Sequence, residues 1–221
     1  MNRRFAIPLF ALLLLASALP ASAAGRLPAA EKLTLKNGVT VYYLKDSDLP
    51  LVSFRMWIPG AGLANEPAAL EGAANLTADL LMKGTATMTA EAVAEAVDFL
   101  GARLDISAGD EFAVLTAESL TEHFPRLMAI AADCLMRPAF KSEEFEKGRK
   151  NRLDGIAVVK DSPGAAVRAY FTKAYFGSHP LGHLSNGSEA SLKAMTLADV
   201  QAFYRSRYRP EKAVAALVGG M

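Results

Sequence analysis

The sequence predicts an α+β domain in which a mostly antiparallel sheet is covered by helices mainly on one face. Three observations favour this class. Short runs of β-branched and aromatic residues occur in the first half of the chain and once more near its end. Segments with helical spacing of apolar residues lie between and after them. An Asn-Gly turn, Asn37-Gly38, joins the first two runs as a hairpin.

The predicted strands share alternating or continuous apolar character and are bounded by turn residues. Pro59 and Gly60 end the third of them. The last one runs into Gly219 and Gly220, and because chains seldom end on a buried strand we expect a longer protein. The six predicted strands are residues 33–35, 39–44, 51–58, 102–107, 111–118 and 213–218.

The predicted helices are marked by capping residues and by prolines near their ends. Thr89 is predicted to cap the second helix, Thr121 or Ser119 to open the third, and Ser142 to cap the fourth. Thr196 and Asp199 form a capping box ahead of the last. The six predicted helices are residues 68–82, 90–100, 121–136, 142–160, 163–176 and 200–208.

The first 23 residues have the pattern of a cleaved signal peptide. Arg3 and Arg4 precede an apolar run at residues 7–19, and Ala21-Ser22-Ala23 gives a small-residue cleavage site before Ala24. The run is shorter than the ~20 apolar residues that a membrane span needs. We therefore expect an exported, for instance periplasmic, domain at residues 24–221 with no membrane span after cleavage.

Charge and cysteine content exclude several classes of function. The leader takes two of the 24 basic residues and none of the 23 acidic ones, which leaves 22 basic against 23 acidic groups. Such a balance predicts no nucleic-acid partner. Cys134 is the single cysteine, so no internal disulfide can form, and its apolar surroundings predict a small buried side chain.

The most informative segment is GAANLTADLLMKGT, which runs from Gly72 to Thr85. It resembles the Gly-x-Ala-His-x-x-Glu-His-Met-x-x-Lys-Gly-Thr segment of the pitrilysin/insulinase-like M16 metallopeptidases. In that family the two histidines lie one helical turn apart and bind zinc, and the glutamate between them activates the metal-bound water. The shared residues, which we call the frame, are Gly72, Ala74, Lys83, Gly84 and Thr85.

The resemblance implies that the catalytic positions have been replaced. Asn75 and Asp79 stand where the family has its histidines, and Ala78 stands where it has the general base. The third ligand, a glutamate on a later helix, falls on Gly155, with Asp154 one residue and about 100° away around the helix. We therefore expect no catalytic residue, no metal site and no cofactor in this chain, with zinc only in a catalytic partner.

Other segments extend the resemblance over residues 33–219. Residues 175–182 resemble the family's aromatic-Gly-x-His-Pro-x-Gly loop, and residues 196–210 resemble a helix that ends in Tyr-x-Pro. In the family two homologous domains follow each other in one subunit. The chain is thus expected to correspond to the first domain of a fold also described as LuxS/metallohydrolase-like, truncated before the second.

The strand at residues 104–107 and the histidine pair His179 and His183 each have a functional and a structural interpretation. Leu104, Asp105, Ile106 and Ser107 align with the family's edge strand, which binds an extended peptide through backbone hydrogen bonds, but an ordinary covered strand fits the pattern equally. His179 and His183 are spaced for a metal, yet the intervening Pro-Leu-Gly predicts a loop. The third histidine, His123, is predicted at a helix N-terminus.

These observations predict a non-catalytic M16-like subunit that pairs with a homologue carrying the intact zinc motif and helps to hold peptides in a chamber. Two alternatives remain. One is a divergent zinc-dependent endopeptidase that uses Asp79, Asp154 and a histidine brought in by the fold. The other is a purely structural subunit, like the core proteins of respiratory complexes.

Overall fold

The computed structural model describes residues 29–220, so the predicted signal peptide at residues 1–23 lies outside the described residues. Six strands form one mixed sheet in the order β1-β2-β6-β3-β5-β4. All neighbouring strands pair antiparallel except β2 and β6, which run parallel. The strands are β1 (Glu31–Thr34), β2 (Thr40–Lys45), β3 (Leu51–Pro59), β4 (Arg103–Ala108), β5 (Phe112–Leu120) and β6 (Val214–Gly219).

The last strand lies inside the sheet. β6 inserts between β2 and β3, so the last strand of the described chain pairs with two strands from its beginning. Ala213 and Ala215 are buried there together with Val39 and Val41. Only the tertiary fold brings these segments together, because more than 170 residues separate the paired positions Val41 and Ala215.

Seven α-helices accompany the sheet in the described residues. Buried side chains of β4 and β5, among them Ile106 and Leu115, pack with helical residues in one core cluster, while the opposite face of β5 stays half-buried or exposed. The helices are α1 (Ala73–Leu81), α2 (Ala90–Phe99), α3 (Phe124–Met136), α4 (Ser142–Asp161), α5 (Pro163–Phe176), α6 (Glu189–Ala194) and α7 (Leu197–Arg207). This confirms the predicted α+β class with helices mainly on one face.

The first predicted helix, at residues 68–82, is divided in the structure. Ala68–Leu70 forms a single 3-10 turn, and α1 starts only after Gly72, whose φ of 97° lies in the left-handed region. A residue with that φ cannot continue a helix, and glycine adopts it without the steric cost that a Cβ would add. The prediction of one continuous helix was therefore wrong at its start.

Two other predicted helix starts were also wrong. Ser119 belongs to β5 and α3 begins at Phe124, with Pro125 in its first turn as expected. Lys141, not Ser142, precedes α4, and no side chain caps that helix. The six-residue helix α6 was not predicted, since it is too short for a clear apolar periodicity.

Two predicted caps are confirmed. The Thr89 hydroxyl accepts a hydrogen bond from the Ala92 N–H at 3.2 Å. Thr196 and Asp199 form the reciprocal capping box of α7.

Cys134 is buried as predicted, and this burial raises the pKa of its thiol to about 11. None of the helices within residues 29–220 combines the length and the apolar character that crossing a membrane requires.

Candidate functional site

A cavity of about 530 Å³ lies between α1, α4 and the edge strand β4. Close packing of α1 and α4 fixes its floor: Leu76 and Phe145 are buried in one cluster, and a Cβ on Gly148 would approach the Leu76 side chain to 2.9 Å. Six of the residues around the cavity matter for its chemistry: Asp79, Lys83, Asp105, Lys147, Arg152 and Gly155.

An ion pair spans the cavity where the motif resemblance places a metal ligand. Arg152 of α4 donates from Nη2 to Asp79 Oδ2 of α1 at 2.5 Å. The Arg152 side chain is 10% exposed, whereas that of Asp79 is 56% exposed. Desolvation by the surrounding protein raises the pKa of Asp79, and the adjacent guanidinium is the largest opposing influence. The one acidic group at the motif positions thus already has a cationic partner.

Asn75 joins the same arrangement through a backbone carbonyl. Its side-chain amide donates to the Ser185 carbonyl oxygen at 3.1 Å, and Arg152 Nη1 approaches that oxygen at 3.4 Å. Asn75 therefore binds a loop through its side-chain nitrogen. The arrangement therefore joins α1, α4 and the loop with Ser185.

The other two altered positions are placed differently. Ala78 is fully buried in the core cluster with Leu81 and Val93. Gly155 lines the cavity, and a Cβ there would make only an ordinary contact, 3.4 Å from Asn186 Nδ2. The fold thus brings the Asp79 and Gly155 positions to one cavity, although these residues are more than seventy positions apart in the sequence.

The side chains present do not fit a zinc ion. Within residues 29–220, no three histidine, cysteine, aspartate or glutamate side chains come together as a potential ligand set. Asp154, which the endopeptidase alternative requires, binds Lys150 on the same helix at 2.5 Å. Zinc binding needs ligand atoms within about 2 Å of a common point. No step of water activation is therefore assigned to this cavity.

The histidines have structural partners. His179 Nδ1 accepts from the Leu181 N–H at 3.2 Å and caps a 3-10 turn. His183 Nδ1 lies 3.0 Å from Glu66 Oε2. His123 precedes α3 as predicted but makes no side-chain cap there.

The strand with Leu104, Asp105, Ile106 and Ser107 lies at an edge of the sheet. β4 pairs with β5 on one side, and its other side has no strand partner within the described residues. Ile106 faces the core, whereas Asp105 and Ser107 are exposed. Asp105 and Ile106 also border the cavity, so the open edge and the altered motif form one continuous surface.

Two buried glutamates anchor the start of α1, and sequence reasoning missed both. Glu66 accepts hydrogen bonds from the N–H groups of Gly72 and Ala74, at 3.1 and 2.7 Å. Burial raises the pKa of Glu66, while these N–H groups and His183 oppose the rise. The available signal was an acidic residue just before a helix N-terminus, where unpaired N–H groups attract a carboxylate.

Glu71 holds the loop that carries Ser185. Its carboxylate accepts from the Leu184 N–H at 2.7 Å and from Lys173 Nζ at 2.6 Å. The Ser191 hydroxyl donates to the Glu71 carbonyl oxygen at 2.8 Å. The loop also lies close to the backbone just before α1, since a Cβ on Gly187 would lie 2.4 Å from the Glu71 carbonyl oxygen. The cavity wall is therefore fixed by backbone contacts and buried polar contacts.

Comparison with known proteins decides the family. The model of Insulinase (Peptidase family M16) matches residues 40–186. The chain belongs to peptidase family M16. A curated relative, an uncharacterized zinc protease of Mycobacterium tuberculosis, is 33% identical over 205 residues, which cover 91% of this chain and 46% of the relative. The chain thus spans about half the length of the curated relatives it matches.

Solved structures of the M16 family agree with the fold. The crystal structure of a peptidase M16 inactive domain from Pseudomonas fluorescens has a TM-score of 0.82 and 27% identity, covering 87% of this chain and 47% of that one. The periplasmic protease PqqL of Escherichia coli has a TM-score of 0.77 at 18% identity, covering 88% of this chain and 22% of that one. The latter similarity concerns the fold alone.

Proposed function

We propose that this chain is a non-catalytic M16 subunit that pairs with a zinc-bearing homologue and helps to hold peptides for it. The Asp79–Arg152 ion pair carries the proposal, because it neutralises the one acidic motif position inside an otherwise preserved frame. Ala78 offers no proton acceptor at the position of the general base. The neighbour from Pseudomonas fluorescens, described as an inactive domain, supports this assignment.

Peptide retention is assigned to the outer edge of β4. Strand addition uses backbone N–H and C=O groups, so it needs neither zinc nor a particular peptide sequence. Asp105 and Ser107 project to the exposed side of this strand, and the adjoining cavity has room for side chains of an added strand. The subunit would thus hold an extended segment while the partner cleaves it.

The first experiment separates this proposal from a divergent peptidase. The purified chain is analysed for zinc by mass spectrometry and assayed with a fluorogenic unstructured peptide, with and without a chelator. We expect no stoichiometric zinc and no chelator-sensitive cleavage. Stoichiometric zinc together with chelator-sensitive cleavage would overturn the non-catalytic assignment.

Partnership is tested by co-expression with an M16 homologue that has the intact His-x-x-Glu-His motif. We expect co-purification and faster peptide cleavage by the complex than by the homologue alone. A variant homologue with glutamine in place of the motif glutamate is the control and should leave the complex inactive. Co-purification with a membrane complex and no peptidase would instead support the purely structural alternative.

Strand addition is tested with backbone-methylated peptides. Alternate N–H groups of a strand point toward the same neighbour, so N-methylation at one set of alternate positions should abolish binding and at the other set leave it intact. Fluorescence anisotropy measures both peptides against the unmethylated parent. Equal binding by all three peptides would contradict binding through the edge of β4.

Export belongs to the same proposal. Residues 1–23 have the pattern of a signal peptide, with Arg3 and Arg4 ahead of an apolar run and a small-residue cleavage site before Ala24. N-terminal sequencing of the chain recovered from the periplasmic fraction should begin at Ala24. Recovery of the chain in the cytoplasmic fraction with Met1 intact would contradict export.

A further inference from the structure

Helix α5 (Pro163–Phe176) presents large apolar side chains to solvent. The exposed fractions are 68% for Val167, 83% for Tyr170, 64% for Phe171 and 72% for Tyr175. Phe171 and Tyr175 stack on each other, with ring centroids 5.5 Å apart. We call these four residues the α5 stripe. None of them contributes to a buried core cluster.

The helix does not need these side chains to pack on its own domain. α5 packs against α4, and its half-buried positions include the small residues Ala165, Ala166 and Ala169. Amphipathic surface helices usually turn their large apolar side chains inward. In α5 the large apolar side chains of the stripe point outward and small side chains point inward. This arrangement is expected when a second surface covers the outer face.

The exposed apolar area of the stripe also indicates that another surface covers it. A fully covered aromatic side chain buries 150–250 Å², so the three rings and Val167 expose roughly 400–500 Å² together. The largest apolar patch of a typical monomer is about 300–600 Å², and such patches are often functional. A standard interface buries about 800 Å² per partner. The stripe could therefore form the apolar centre of such an interface, with neighbouring polar residues as its rim.

The spacing of the stripe suits a contact with a second copy of the chain. Val167, Phe171 and Tyr175 recur every four residues, so Val167 and Tyr175 lie equally far from Phe171 along the helix. We propose that a second copy of this chain covers the α5 stripe through a twofold contact centred on Phe171. Rows at this spacing interlock when two helices cross at about −50°, and a twofold contact requires such a self-complementary surface.

Charge fits the same arrangement. Lys173 is neutralised by Glu71, which leaves Arg168 as the remaining charged side chain of α5. In an antiparallel contact centred on Phe171, Arg168 lies opposite the partner's Ala174, beside the exposed ring of the partner's Tyr175. A guanidinium over an aromatic ring is attractive. Two copies can therefore meet without placing the two arginines face to face.

This surface is separate from the candidate site. No described residue of α5 lines the cavity, and β4 does not belong to the stripe. The inference goes beyond the proposed function, and either one can fail while the other stands.

The test measures association of the purified chain by sedimentation velocity between about 1 μM and 1 mM, the range in which small interfaces associate. The wild type should form a dimer. Phe171→Glu should weaken dimerisation at least tenfold, because two carboxylates would meet at the twofold axis. Phe99→Glu is the matched control, since Phe99 is a 79% exposed phenylalanine on α2 and its replacement should leave the dimer intact.

A charge-reversal pair keeps the test independent of folding. Phe171→Glu and Phe171→Lys chains should each be monomeric, and a mixture of the two should dimerise again, because only a twofold contact brings position 171 opposite itself. The proposal is overturned by a wild type that stays monomeric, by a dimer that survives Phe171→Glu, or by a mixture that does not associate. Equal loss of the dimer in Phe99→Glu would also overturn it.

Discussion

Arg152 gives Asp79 of α1 a cationic partner that lies on another helix, α4. Its guanidinium supplies a fixed positive charge beside Asp79, at the position where the M16 motif would place a metal ligand. A carboxylate that is partly desolvated by the cavity wall needs such a partner to stay ionised at low cost. The ion pair therefore stabilises the ionised form of Asp79.

Replacing Arg152 should make stability depend more strongly on pH. The pKa of Asp79 is already raised above its ordinary value of 3.8, and Arg152→Met should raise it further. A folded-state pKa above the unfolded one makes the free energy of unfolding fall as pH rises between the two values. Urea unfolding from pH 4 to pH 7 should show a steeper fall in the variant, and a loss of about 1 kcal/mol at neutral pH.

Two controls isolate the pair. Lys150→Met removes an exposed cation of α4 whose ion pair with Asp154 is open to water, and it should change stability by less than about 0.5 kcal/mol. Adding Asp79→Asn to Arg152→Met should remove the extra pH dependence. If the slope persists without Asp79, another group is responsible.

At the scale of elements, the packing of α1 against α4 preserves the shape of a two-helix site. Gly148 permits close approach beside Leu76, and Gly155 faces the same cavity as Asp79. The helix positions therefore remain where metal ligands would be needed, although the side chains have changed. The backbone of the two helices is thus suited to restoring metal ligands by substitution.

Zinc binding should return when the ligands are restored and the competing cation is removed. The variant Asn75→His, Asp79→His, Gly155→Glu places three ligands, two histidines and a glutamate, on α1 and α4. Arg152 would repel a dication, so we expect binding at least tenfold tighter when Arg152→Met is added. Competition with a chromophoric chelator measures both affinities, and the unaltered chain is the reference.

Failure of both variants to bind zinc would contradict the inferred geometry. Circular dichroism of each variant distinguishes this outcome from unfolding. Tight binding by the variant that keeps Arg152 would show that the guanidinium does not compete with the metal.

At the scale of the whole molecule, buried polar contacts join distant segments around the cavity. Glu71 binds Lys173 of α5 and the backbone of the loop after it, and Glu66 binds His183 in that loop. These contacts add to the bonds that Asn75 and Arg152 make with Ser185 and help to fix the position of the loop. The cavity is therefore a product of the complete fold and not of the motif helix alone.

Glu71→Ala should loosen this loop. The substitution leaves the Leu184 N–H without its acceptor and should cost roughly 1–3 kcal/mol, because the Glu71 side chain is buried. Amide hydrogen exchange at residues 177–187 should accelerate more than exchange in the sheet. Glu189→Gln is the control, since its pairs with Lys160 and Lys193 are exposed. Unchanged exchange in Glu71→Ala would contradict the anchoring role.

The sequence could predict what depends on neighbours along the chain. The caps at Thr89 and Thr196 follow from side chains that reach N–H groups three residues away, so short motifs revealed them. The turn before α1 escaped prediction because Gly72 fits both the interior of a weak helix and a left-handed break. A glycine alone does not specify which φ it adopts.

By itself, the sequence determined the α+β class, the resemblance to M16 peptidases and the altered residues at positions 75, 78 and 79 of the motif. These are local properties of residue type and spacing. Only the tertiary structure decided that Arg152 neutralises Asp79, 73 positions away, and that Ser185 binds Asn75 across 110 positions. Spacing along the chain carries no distance information at such separations, because the packing of α1, α4 and the anchored loop sets which side chains meet.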